Sequence, residues 1–165
     1  MHPLDELFKW FPDCDFGVMA HGFLPHGRDY SILVENNLGK VQGRHTLCFT
    51  HVVEMNYSTG VEDDTWRKSW SEDFTDFKRW ESAGEPGGYL WGTNWSGAWP
   101  GMRDVTPSAK AESWTIRLEK PMFEMEIHTD RFRMSLIFHS LQVTHLNDDA
   151  STVSVSVIPL EAKPL

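Results

Sequence analysis

Eight histidines in 165 residues make metal binding or acid–base chemistry the first question. His45 and His51 lie six residues apart in one β-rich run, and His139 and His145 repeat that spacing in another. Extended chain places such a pair on one strand face but about 20 Å apart, at ~3.3 Å per residue. His21 and His26 flank a turn, and with His139 they are the cross-strand trio to weigh for a metal. None of the eight falls in the HxH, HxxxH or HExxH spacing that gathers ligands locally. The expectation is strand histidines with hydrogen-bond partners, with no metal and no cofactor.

Two other clusters could do chemistry. His21, His26, Arg28 and Asp29 stand between a turn and an apolar run. An Arg–Asp pair with two imidazoles can move protons or grip an anion. The same residues also suit a turn closed by a local ion pair, and no nucleophile or second carboxylate accompanies them. The other cluster is GGYLWGTNWSGAWPG, residues 87–101. Trp91, Trp95 and Trp99 recur every four residues, a spacing that shares a face in helix and strand alike. The glycines and Pro100 oppose a helix, so an extended or looping course is expected. Tyr89 joins the ring face, with Asn94 between the rings, as a sugar or a proline-rich peptide would require. The alternative is an aromatic flap closing the core. No nucleotide-binding glycine loop and no GxSxG elbow is present, so nothing argues for an enzyme.

These residues need elements to hold them. LDELFKWF carries Leu4, Leu7, Phe8 and Phe11 on one stripe, which predicts a short helix stopped by Pro12. GVMAHGFL and RDYSILVE read as strands around the turn Pro25–His26–Gly27, and RHTLCFTHVVEMNY as one long β segment. In residues 62–84, Trp66, Trp70, Phe74, Phe77 and Trp80 form one helical stripe, capped by Asp63 or Asp64, with Ser71 a place where a kink would restart it. ESWTIRLE, MFEMEIHTD, RFRMSLIFHSLQVTHL and STVSVSVIPL alternate as strands, joined closely enough to pair as antiparallel neighbours. The predicted fold is α+β in a single domain, 1–165. A mostly antiparallel sheet carries one main aromatic-faced helix and a short N-terminal helix.

Composition narrows the function classes. With 15 basic against 24 acidic residues the net charge is −9, which argues against nucleic acid and suits solubility or a basic protein partner. No stretch approaches the ~20 apolar residues of a membrane helix. The start MHPLDELFKWFPDCD lacks the basic and apolar regions of a signal peptide. Cys14 and Cys48 follow no disulfide or redox pattern, and reduced thiols point to the cytoplasm.

HGFLPHGRDYSILVENNLG together with LIFHSLQVTHLND resembles the small bacterial YxiG-like single-domain proteins, some of which look like companions of toxin systems. The resemblance implies a bacterial cytoplasmic protein that acts by binding, and it transfers no site residues. The expected function is thus a non-enzymatic protein-binding module of immunity or regulatory type. The alternatives are a metal-dependent hydrolase built on strand histidines and a small-ligand or carbohydrate binder using the tryptophan segment.

Overall fold

A computed structural model describes residues 3–10, 16–37, 41–92, 95–146 and 153–157. The expected hairpin forms from β1 (Phe16–Phe23) and β2 (Tyr30–Asn36), whose buried Tyr30, Ile32 and Val34 alternate with more exposed neighbours. The run from 43 to 59 divides into β3 (Gly43–Thr50) and β4 (Glu54–Thr59). After β5 (Ser96–Asp104) and β6 (Phe123–Thr129), residues 132–146 divide likewise into β7 (Phe132–Phe138) and β8 (Ser140–Leu146), followed by β9 (Val153–Val157). The described strands make one antiparallel sheet in the order β4-β7-β6-β5-β1-β2-β3-β8-β9.

Two long strands give this sheet its shape. β3 runs on into β4 and β7 into β8, side by side, and they bend together. Thr50 pairs with Ser140 below the bend and Glu54 with Ile137 above it. The amide of His139 donates to Thr50 O at 3.0 Å and that of Val53 to Ile137 O at 2.9 Å, carrying the pairing through the corner. His51 supplies the turn with a left-handed φ of 52°. The sheet therefore folds over on itself as an open barrel. One core lies between its halves, with Ile32, Leu47 and Phe49 from one side and Ile127, Met134 and Leu136 from the other. Phe49 and Phe138 meet edge to face at 4.9 Å. The helix α1 (Pro3–Trp10) packs on β8 and buries Leu4 and Leu7 completely, each worth roughly 1.5–3 kcal/mol. Phe11 of the expected stripe lies outside the described residues.

Two helical expectations are corrected. Residues 62–84 are not one helix but α2 (Asp63–Lys68), a 3₁₀ turn (Glu72–Thr75) and α3 (Phe77–Ser82). Short polar side chains compete with the helical backbone here. Ser69 Oγ donates to Thr65 O at 2.6 Å, Thr75 Oγ1 donates to Glu72 O at 2.7 Å, and Asp76 Oδ1 accepts from Arg79 N at 3.1 Å. The five rings consequently diverge: Phe74 is buried, Trp66 and Trp80 half-buried, Trp70 80% and Phe77 56% exposed. Residues 112–118, read as a strand, belong to α4 (Ala109–Leu118). Ser108 Oγ accepts from Ala111 N at 3.0 Å and starts this helix, and Ala109, Lys110, Ala111 and Glu112 are strong helix formers. Ala111 and Trp114 turn toward Val53, Met122 and Ile137, while Ile116 points out to solvent. The apparent alternation of Trp114, Ile116 and Leu118 reflected composition, not a pleat.

The broken stripe is open to a direct stability comparison. Phe74→Ala should cost about 3–5 kcal/mol in urea unfolding, as for other buried phenylalanines. Phe77→Ala and Trp70→Ala should each stay within about 0.5 kcal/mol of the parent protein. A continuous helix with its stripe on the sheet requires all three losses to be large.

Candidate functional site

An opening of about 600 Å³ lies at the mouth of the barrel, between β1, β4, α2 and the tryptophan segment. A β-bulge aims one of its residues. Val18 pairs with Val34, but Ala20 then faces Leu33 and His21 faces Ile32, so the register slips by one residue. Ile32 points into the core, and directly paired residues share a face, so His21 turns inward with it. Without the slip His21 would oppose Ser31 and point outward. Its ring packs 4.8 Å from Phe132 and 5.7 Å from Tyr57, and its Nδ1 lies 2.6 Å from Tyr30 Oη. Burial lowers the His21 pKa and pushes that of Tyr30 up to about 12, so both are neutral at pH 7.

The tryptophan wall is built on the broken helix. Trp91 N donates to Phe74 O at 2.6 Å and its Nε1 to Ser69 O at 3.0 Å, while Tyr89 N donates to Ser69 Oγ. Carbonyls that a continuous helix would use internally thus hold the loop. Gly92 permits this approach, since a Cβ there would stand 2.2 Å from Thr75 O. Trp66 Nε1 donates to Thr59 Oγ1 at 2.8 Å. Trp66, Trp91 and Tyr89 then form a row, with centroids 4.4 Å and 4.8 Å apart. With their indole N–H groups committed to protein acceptors, Trp66 and Trp91 present apolar ring surface to the opening. Trp95 also lines the opening and is 54% exposed. At its edge Tyr89 Oη donates to Asp130 Oδ2 at 2.5 Å and accepts from Arg131 Nε at 3.1 Å. Burial raises the pKa of this phenol too.

The structure thus sorts the residues singled out in the sequence. His21, Trp91 and Trp95 meet at one opening, with Tyr89 behind Trp91. Trp99 is 78% exposed and is not part of the lining, and Asn94 lies outside the described residues. Of the polar cluster only His21 belongs here. Asp29 is buried and accepts from Arg28 Nε at 2.8 Å and Nη2 at 2.9 Å, and from His51 N at 2.9 Å. His26 Nε2 stands 3.7 Å from Asp29 Oδ2. These three residues tie the β1–β2 turn to the barrel corner, as a turn closed by an ion pair would. Tyr57, Phe132, Trp66 and Arg131 were not foreseen at a site, because strand alternation says which face a residue takes and not which mouth it lines.

The chain matches the YxiG-like protein family model over residues 2–156. It belongs to the YxiG-like protein family. No match was found among curated proteins or among solved structures. Among the described residues of this YxiG-like protein, no group of three or more His, Cys, Asp or Glu is placed to hold a metal.

Four histidines of the YxiG-like chain meet in two cross-strand pairs. β3 and β8 run antiparallel in a register that sets His45 directly opposite His145. The buried His45 donates from Nδ1 to Gly43 O at 3.1 Å, so its Nε2 accepts from His145 Nδ1 at 3.0 Å. His51 and His139 meet at 5.9 Å between ring centroids. The signal lay in the equal six-residue spacings: once His45 opposes His145, His51 and His139 must also meet near the corner.

Two pH dependences follow. Arg28 beside Asp29, with the His51 amide, holds the Asp29 pKa down at about 2. Its contribution to stability is present above the ordinary carboxylate range and is lost as pH falls from about 4 toward 2. Asp29→Ala should cost about 1–3 kcal/mol at pH 7 in urea unfolding, because it strands the His51 amide, and should flatten that acid limb. Desolvation, and then His145, lower the His45 pKa. The neutral form is favoured in the fold, so stability is full above about pH 6.5 and falls as the pH drops below it. Melting temperatures at pH 7.5 and 5.5 should differ less in His45→Phe than in the parent protein. His21 titrates in the same sense and leaves a residual slope.

Proposed function

We propose that this protein is a non-enzymatic binding module and that its ligand sits in the barrel-mouth opening, stacked on tryptophan. The observation that carries the proposal is the convergence of Trp66, Trp91, Trp95, Tyr57 and His21 on one space of about 600 Å³. That volume lies within the range of small-molecule sites, and barrel mouths are a common place for them. Because Trp66 and Trp91 spend their N–H groups on Thr59 and Ser69, they meet a ligand with apolar ring surface and not with donors. A small ligand with a planar ring fits this lining. The other binding reading, a regulatory or immunity-type module with a basic partner, draws support from the net charge of −9 and from Trp70 standing exposed beside Trp66. A cytoplasmic location is supported by the free Cys48.

Isothermal titration with a panel of aromatic compounds, oligosaccharides and proline-rich peptides tests the site. Trp91→Ala should weaken any ligand found by about tenfold or more, the effect of removing a central ring contact. Trp99→Ala should leave its affinity unchanged. Equal loss in the two variants, or capture of a basic protein that is indifferent to Trp91, would move the binding surface elsewhere.

A further inference from the structure

The charges around the opening are unlike those of the protein as a whole. The chain has 24 acidic residues against 15 basic, yet among the described lining residues Arg131 is the one ion, and no Asp or Glu is present. Arg131 is held at the edge by Tyr89, through its Nε and with its guanidinium carbon 5.6 Å from the ring centroid. Asp130, next in the chain, is not part of the lining, and its Oδ2 is taken by the Tyr89 hydroxyl. His21 lines the same space, with its Nδ1 2.6 Å from the Tyr30 hydroxyl. Aromatic faces without a carboxylate make a poor seat for a cation here, because Arg131 repels it.

We infer that the opening selects acidic ligands: a flat apolar ring carrying a carboxylate or comparable anionic group, with the ring against the tryptophans and the acid toward Arg131. This rests on the pocket proposed above and adds the chemical class of its ligand.

Three probes with one ring separate the two statements: 2-naphthoate, 2-naphthylmethanol and 2-naphthylmethylamine, titrated calorimetrically into the full chain. The acid should bind at least tenfold more tightly than the amine, with the alcohol between them. Raising the salt concentration should weaken the acid and spare the alcohol. Arg131→Gln should bring the acid to the level of the alcohol, and Arg131→Lys should keep part of the preference. The salt series uses the unaltered protein, so it decides the matter even where a variant folds poorly. Equal affinity for all three probes, or preference for the amine, overturns acid selectivity and leaves the aromatic pocket standing. Failure of all three, together with the wider panel, overturns both.

Discussion

At His51 the long β3–β4 strand turns through a left-handed residue, and the amide exposed by that turn is taken by the buried carboxylate of Asp29. The partner strand bends at the same level, where His139 N donates to Thr50 O. Removing the charged acceptor of this part-buried bond costs about 1–3 kcal/mol, so the corner depends on Asp29 standing where it does. Arg28 holds that carboxylate ionised, and its own carbonyl accepts from Val52 N at 2.8 Å. The corner thus binds the β1–β2 turn, β3 and β4 into one unit. Because β4 leaves it along the other wall of the barrel, Tyr57 comes to pack beside His21, and Thr59 lines the same opening.

The other wall depends on a helix that does not form. Ser69, Thr75 and Asp76 interrupt what the aromatic spacing would make continuous, and Ser69 O and Phe74 O become acceptors for Trp91. Helix propensity is a weak force, a few tenths of a kcal/mol per residue, and local hydrogen bonds with tertiary partners override it. The result is that Trp66 no longer covers the sheet as part of a stripe. It stands beside Trp91 and faces the mouth.

Membership of the YxiG-like family places the chain among related sequences without assigning an activity. The binding proposal is therefore carried by geometry: rings with satisfied N–H groups, a histidine brought to the same opening by a bulge, and Arg131 as the one ion among the described lining residues. The paired histidines of β3 and β8 have a different role. They are hydrogen-bonded within the sheet, and burial of His45 disfavours its protonated form.

Much of the architecture was legible in the residues. Alternation in β1, β2, β6 and β7 and the stripe of Leu4 and Leu7 announce an antiparallel α+β fold with an N-terminal helix, because burying one face is the dominant local demand on a strand or short helix. The glycines likewise announced a non-helical course for residues 87–92 and 95–101. What local pattern does not contain is register, bends and caps. The bulge at Val18–Ala20 turns His21 inward by one residue of slip, and the corner at His51 splits a continuous β run in two. Ser108 makes a helix of residues whose alternation mimicked a strand. Each is settled by which distant group accepts a hydrogen bond or opposes a side chain. By itself, then, the sequence determined the antiparallel strands and the N-terminal helical stripe, because alternation and a three-to-four spacing follow from burying one face. Only the tertiary structure decided that His21, Trp66, Trp91, Trp95 and Arg131 share one opening, because pairing register and long-range hydrogen bonds exist only once the strands have met.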